Sequence, residues 1–240
     1  MRTCKAILKR RDSLCNGTTG LCFEKPDGFE FKPGQFANFT LDSVIATDPG
    51  GITRSLSIAS APHEKDLMVA MRMRDTGFKR IASELPIGAP FLLEGPYGNL
   101  ILHRDTARPA VFLVGGIGIT PFRSMIRHAT EVGSAHKLFL FYSIRRIEEG
   151  AFLNELEEFQ ELNPRFKFIP TITHPDRVPR DWRAELGHIT EPMLNRWLPA
   201  SQAPIFYIAG PPGMVDGMRQ MLCDALVSDD DIRAEEFAGY

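Results

Sequence analysis

The segment TRSLSIASAP, residues 53–62, sets a fixed cation, Arg54, and hydroxyls at Ser55, Ser57 and Ser60 into an otherwise apolar, strand-like stretch. A guanidinium is a planar fork of donors that matches phosphate, and a serine hydroxyl can donate or accept. A plain exposed edge strand would account for this composition. So would an anionic, flat ligand lying along the strand. LVGGIGITPFRSM (113–125) ends an apolar run at Gly115 and Gly116, then passes Gly118, Thr120 and Pro121 into a helical pattern. Glycines admit close backbone approach, and the N–H groups and dipole of a helix start favour phosphate. Pro121 suits a first helical turn. The spacing departs from GxGxxG because proline stands at the third glycine position. YIAGPPGMVDGM (207–218) repeats the arrangement through Gly210, Pro211, Pro212, Gly213 and Met214; a rigid turn and helix start is its structural alternative. YSIRR (142–146) brings Ser143, Arg145 and Arg146 to the end of another apolar run. At such a strand end an acid suits a free ribose 2′-hydroxyl, whereas arginine suits a 2′-phosphate. The first acid here is Glu148, so NADP(H) is preferred over NAD(H), although a solvated basic loop fits the same residues.

Two kinds of element must position these groups, and the pattern changes near residue 105. Before it, short apolar runs such as CKAIL, GLCFEK, GQFANFTL, DLMVAMRM and APFLLEG are separated by PDG, KPG, DPGG and DTG. That rhythm predicts an antiparallel β-barrel or sandwich, with one short helix at RIASEL. After it, the runs AVFLVGG, KLFLFYS, FKFIPTIT and PIFYIAG alternate with amphipathic helical stretches. Continuous apolar runs suit strands covered on both faces. This predicts an open parallel α/β sheet, which binds ligands at the carboxyl ends of its strands. The boundary is placed at 104/105, giving domains 1–104 and 105–240.

Bulk composition excludes little beyond the obvious. With 240 residues, 43% hydrophobic and 24% charged, the chain is long enough for two small cores. A net charge of −2 gives no reason to invoke nucleic acid or a membrane surface. No apolar run reaches the roughly 20 residues of a membrane span, and residues 1–9 do not read as a signal peptide, so a cytoplasmic location is expected. Cys4, Cys15, Cys22 and Cys223 form no CxxC or iron–sulfur spacing, and the six histidines show no ligand spacing. No metal site is assigned.

Taken in order, these motifs resemble the ferredoxin–NADP⁺ reductase superfamily, in a bacterial form without a fused ferredoxin domain. KPGQF (32–36) resembles its first barrel hairpin, RSLS (54–57) its flavin motif and EGPYG (94–98) the turn closing the flavin domain. GGIGITP and GPPGM resemble its two nicotinamide loops, and EEFAGY its acidic–aromatic tail. The resemblance implies an FAD-binding barrel followed by a nicotinamide-nucleotide domain. The implied activity is hydride exchange between NAD(P)H and FAD, with single electrons passed to a separate ferredoxin, flavodoxin or oxygenase component. It also implies that Arg54 meets the flavin phosphate, with Ser55 beside it, that Ser57 bonds the reactive N5 edge and that Leu56 lies beside the ring. Gly77, Phe78 and Lys79 would add phosphate contacts. Glu236 would be the tail acid near the flavin, with Phe237 or Tyr240 as the aromatic. Ser57 and Glu236 are thus the implied catalytic pair. Two positions depart from the family: Leu56 replaces an aromatic, and Ala209 replaces a cysteine before the Gly-Pro-Pro turn. Those departures motivate an alternative, a flavin- or nucleotide-binding regulatory module without turnover. A flavin-free dehydrogenase is disfavoured by the barrel half.

Overall fold

A computed structural model of the protein describes residues 2–41, 51–174, 178, 185–199 and 202–237. The chain divides into two compact units. The first contains residues up to Ile101 together with Thr120–His128; the second contains Leu102–Ile119 and the chain from Ala129 onward. The sequence places one boundary at 104/105, whereas the contacts change hands at Leu102 and return residues 120–128 to the first unit.

The first unit is a six-stranded antiparallel sheet. Its strands are β1 (Arg2–Cys15), β2 (Thr18–Glu24), β3 (Phe36–Leu41), β4 (Thr53–Ser57), β5 (Asp66–Arg72) and β6 (Pro90–Tyr97). Their spatial order is β4-β3-β6-β1-β2-β5. Ile58, just past β4, bridges to Val69 of β5, and the Ala59 N–H donates to the Met68 carbonyl at 2.7 Å. The two outer strands therefore meet and the sheet curls into a barrel. Alternating residues fill it with rings: Phe23 lies 5.2 Å from Phe39 and 5.0 Å from Phe91, centroid to centroid. Such pairs are favourable beyond their buried area. The short helix expected at RIASEL is α1 (Gly77–Glu84), which drives Phe78 into this core.

The second unit is a parallel sheet. In chain order it comprises β7 (Ala110–Gly115), α2 (Ile119–Glu131), β8 (Leu138–Ile144), α3 (Leu153–Leu162), β9 (Phe166–Ile172) and β10 (Glu185–Leu186). Then come α4 (Glu191–Trp197), β11 (Ile205–Gly210), α5 (Pro212–Asp224) and β12 (Ile232–Glu236). Of α2, only Ile119 and residues 129–131 count with this unit. The strand order is β10-β9-β8-β7-β11-β12. Every residue of β7 and β11 is buried, as the unbroken apolar runs require. The order reverses between β7 and β11, which puts the topological switch point at their carboxyl ends. At the other end His103 anchors the incoming chain. Its N–H donates to the buried Tyr207 hydroxyl at 2.8 Å, and its Nε2 donates to the Arg108 carbonyl at 2.9 Å. Nδ1, 2.9 Å from the same hydroxyl, then accepts. Burial holds this imidazole below its ordinary pKa, consistent with a neutral ring.

Candidate functional site

In the first unit, β4 is an outer strand, as the edge-strand reading of TRSLS requires. Thr53 and Ser55 face outward, where Ser55 Oγ donates to Asn38 Oδ1 at 2.6 Å. Arg54 and Leu56 share the opposite face. Leu56 packs on the barrel core, so its side chain is engaged by protein. Ser57 is 8% exposed and pairs with Phe36 of β3. The Arg54 guanidinium lies 5.4 Å from the Phe78 ring centroid and donates to the Thr53 carbonyl at 2.8 Å. A stacked guanidinium is held in one orientation at modest energetic gain. Phe78, buried in the core, thus supports Arg54 from beneath.

This stacking brings Arg54 to the start of α1, beside Gly77 and Lys79. Burial holds the Lys79 ammonium below its ordinary pKa, and the nearby Arg54 and Arg74 charges lower it further. The Arg54 and Arg74 charges acting on Lys79 make this corner favourable to an anion. No side chain caps α1, and its first turn carries no acid. The Thr76 hydroxyl at the N-cap position is buried without a hydrogen-bond partner among the described residues. Helix dipole, cations and an unused hydroxyl converge, and these groups fit a phosphate. Arg74 and Thr76 were missed from sequence. Their signal was the run of cations around the DTG turn.

In the second unit, the switch point gathers both glycine turns. Gly115 ends β7 and Gly210 ends β11, and a Cβ on Gly210 would lie 3.2–3.3 Å from the Gly115 backbone. A Cβ on Gly118 would lie 2.3 Å from the Ala209 carbonyl oxygen, and one on Gly115 would lie 2.3 Å from Met214 Sδ. Gly118 and Gly210 therefore let the turn after β7 lie close against the end of β11, and Gly115 makes room for the Met214 side chain of α5. Gly116 adopts φ +51°, the left-handed region that favours glycine. Gly213 has open space around its Cβ position. Thr120 and Pro121 are buried in the first turn of α2; Pro211 caps α5 and Pro212 opens it. Neither helix has an acid in its first turn.

The end of β8 lies on the same edge of the sheet. Ser143 is half-buried, and Arg145 and Arg146 are exposed just beyond the strand. The Tyr142 hydroxyl accepts from the Ala151 N–H at 3.1 Å and pins the loop that follows. The tail runs along β11. Phe237, half-buried, donates its N–H to the Gly210 carbonyl at 3.0 Å, and Glu236 pairs with Gly210 but is exposed. Its neighbour Glu235, opposite Ala209, is half-buried, with its Oε2 atom shielded from solvent. Burial pushes its carboxyl up to about 7, and Oε2 has no partner among the described residues. The two adjacent acids look alike in sequence, so only strand pairing tells them apart. Tyr240 lies outside the described residues. No cluster of three or more metal-ligating side chains is found among the described residues, and no helix is long and apolar enough to cross a membrane. Burial pushes the Cys22 thiol up to about 12, which keeps it protonated.

Residues 112–220 match the family described as oxidoreductase NAD-binding domain. A propane 2-monooxygenase reductase component from Mycolicibacterium goodii is 28% identical over 218 residues, covering 89% of this chain and 61% of that protein. The chain thus spans about three fifths of the length of the oxygenase reductase components it matches, 58% for a phenol hydroxylase P5 protein. The crystal structure of a ferredoxin NADP⁺ reductase from Neisseria gonorrhoeae with bound FAD and NADP superposes with a TM-score of 0.79. It covers 98% of this chain and 99% of that one at 23% identity, a likeness of fold. The ferredoxin–NADP reductase B of Sorangium cellulosum is 31% identical over 212 residues, 84% of this chain and 83% of its own length. Identity at that level along nearly two full lengths, on a barrel joined to a parallel sheet, shows that the chain belongs to the ferredoxin–NADP⁺ reductase superfamily.

Proposed function

We propose that this protein is a flavin-dependent reductase that takes electrons from NAD(P)H and passes them to a separate redox partner. The observation that carries the reading is the cluster of Arg54, Arg74 and Lys79 around the uncapped start of α1. It supplies the charge that a flavin nucleotide's phosphates need. FAD is the flavin proposed, in keeping with the relatives named above. Bound there, the flavin would supply two-electron acceptance from a nicotinamide and one-electron release to a partner.

The chain's own residues then divide the work. Arg54, Gly77 and Lys79 hold phosphate, with Phe78 beneath Arg54. Ser55, Leu56 and Ser57 line β4, and the Ser57 hydroxyl is the group available to the reactive edge. The turn from Gly115 to Gly118 and the turn from Gly210 to Met214 receive the nicotinamide nucleotide, and Thr120 and Pro121 open α2. Gly115, Gly118 and Gly210 hold those two turns together. Ser143, Arg145 and Arg146 receive the adenosine ribose and its 2′-phosphate, favouring NADP(H). Residues 1–104 serve as the flavin domain and 105–240 as the nucleotide domain. The partner is a ferredoxin, a flavodoxin or an oxygenase component, as the relatives' names suggest.

The test is direct. Protein purified in the dark should be yellow and release FAD on denaturation, and anaerobic NADPH should bleach its flavin absorbance in stopped flow. A yellow protein that neither NADPH nor NADH bleaches would sink the enzymatic reading and leave a binding module. A colourless protein that takes up no added flavin would sink both.

A further inference from the structure

Residues 120–128 of α2 count with the first unit, and one turn of that unit, residues 59–64, bonds to them. Arg123 is 4% exposed and donates Nη1 to the Ala59 carbonyl at 2.8 Å and to Glu64 Oε2 at 2.9 Å. Ser124 Oγ donates to the Ser60 carbonyl at 2.7 Å. One helical turn further on, His128 stacks on His63, with ring centroids 5.9 Å apart and planes 27° apart. His128 Nδ1 is buried and has no hydrogen-bond partner among the described residues.

Charged groups flank the 59–64 turn. Glu64 already answers to Arg123 and feels Arg127. Lys25 approaches from the end of β2, donating to the Pro62 and Glu64 carbonyls at 2.8 and 2.9 Å. Lys65 follows Glu64 on the same turn and is exposed. We propose that the His63–His128 stack is an acid-sensitive latch. With both rings neutral it clamps the end of the 120–128 stretch against the 59–64 turn. Once the stack is protonated, charge sits on a ring whose buried Nδ1 has no acceptor among the described residues, and that end of the stretch lets go.

The electrostatics run in the same direction. Burial and the neighbouring His63 both hold His128 below its ordinary pKa. The latch therefore contributes fully above the ordinary histidine value, about 6.5, and is lost as pH falls below it. Glu64 does not release first. Burial pushes its carboxyl up, but the Arg123 hydrogen bond and charge outweigh that and leave it below the ordinary carboxylate range. The Arg123–Glu64 pair thus persists while the His128 end opens.

Hydrogen exchange on the full chain tests this at about pH 7.5 and about pH 5.5, either side of the ordinary histidine value, with intrinsic rates corrected. Peptides over 120–131 should lose protection several-fold at the acid pH while β1 and β2 peptides hold theirs. His128→Gln should remove that acid response. His63→Gln, at an exposed position that folding tolerates, should do the same even if His128→Gln fails to fold. An unchanged acid response in His63→Gln overturns the proposal. So does acid loosening spread evenly over the first unit, or no acid response in the wild type.

Discussion

Gly118→Ala separates two uses of a glycine turn. The backbone of Gly118 is not in the left-handed region, so alanine meets no dihedral penalty there. The added Cβ would instead lie 2.3 Å from the Ala209 oxygen, 2.6 Å from the Ala209 carbonyl carbon and 2.8 Å from the Gly210 nitrogen. Unstrained contact begins near 3.5 Å, so relief requires a shift of about 1 Å. Every clashing atom is backbone of β11, which is bonded on one side to β7 and on the other to β12. No side chain can swing aside. Overpacking of this kind costs about 1–3 kcal/mol, or roughly 2–12 °C in melting temperature for a domain of this size. Gly213→Ala is the control. Nothing lies within 4 Å of its Cβ position, and alanine suits a helix better than glycine by up to about 1 kcal/mol. Thermal melts of the protein without added nucleotide, followed by near-ultraviolet circular dichroism, should show a clear drop for Gly118→Ala and none for Gly213→Ala. A Gly118→Ala protein that melts like wild type yet no longer binds NADPH would refute the close-packing account and leave ligand approach as the reason for that glycine.

Other outcomes follow from the same geometry. Arg54→Leu should weaken FAD binding on the order of ten- to a hundredfold, the value of a charge-assisted hydrogen bond, read by quenching of flavin fluorescence; unaltered affinity would remove Arg54 from the site. Replacing Arg145 and Arg146 together with glutamine should raise the Michaelis constant for NADPH far more than for NADH, and equal effects would refute the 2′-phosphate assignment. The folded Glu235 carboxyl titrates near 7, above its ordinary value of 4.5, so the native state binds its proton more tightly than the unfolded chain does. Stability from this group is therefore lost as pH rises from about 4.5 to about 7. Glu235→Gln should accordingly be the more stable protein at pH 8, by about 1–3 kcal/mol, and lose that advantage near pH 4. Urea titrations at the two pH values check it, and an advantage independent of pH would show that Glu235 is not buried as a neutral acid.

Much of this molecule was legible in the amino-acid order. Unbroken apolar runs announced β7, β8, β9 and β11, because strands covered on both faces have no polar side to show. Breakers at PDG, KPG and DTG marked the corners of the barrel, and the order of RSLS, GGIGITP and GPPGM identified the superfamily. Less regular pieces stayed hidden. Helix α4 is seven residues long, too short for a period, although the Thr190 hydroxyl accepting from the Met193 N–H at 3.4 Å is a start signal visible as T-E-P. β12 reads IRAEE, a polar outer strand that pairs with β11 alone among the described residues.

What the sequence determined by itself was the kind of element at each place and the chemical types available: cations on a strand, glycines at strand ends, acids in the tail. Which of those groups meet was decided only by the tertiary structure. Arg54 joins Lys79 because Phe78, anchored in the barrel core, offers its ring beneath the guanidinium. Glu235 rather than Glu236 is the half-buried acid because strand alternation turns them to opposite faces of β12. Gly118 and Gly210 come within Cβ reach of backbone across β7 and β11 because those strands are paired neighbours. The physical reason is common to all three. Hydrophobic burial and backbone pairing fix side chains to faces and distances that no local spacing encodes, and proximity in space sets both pKa and the room left for a Cβ.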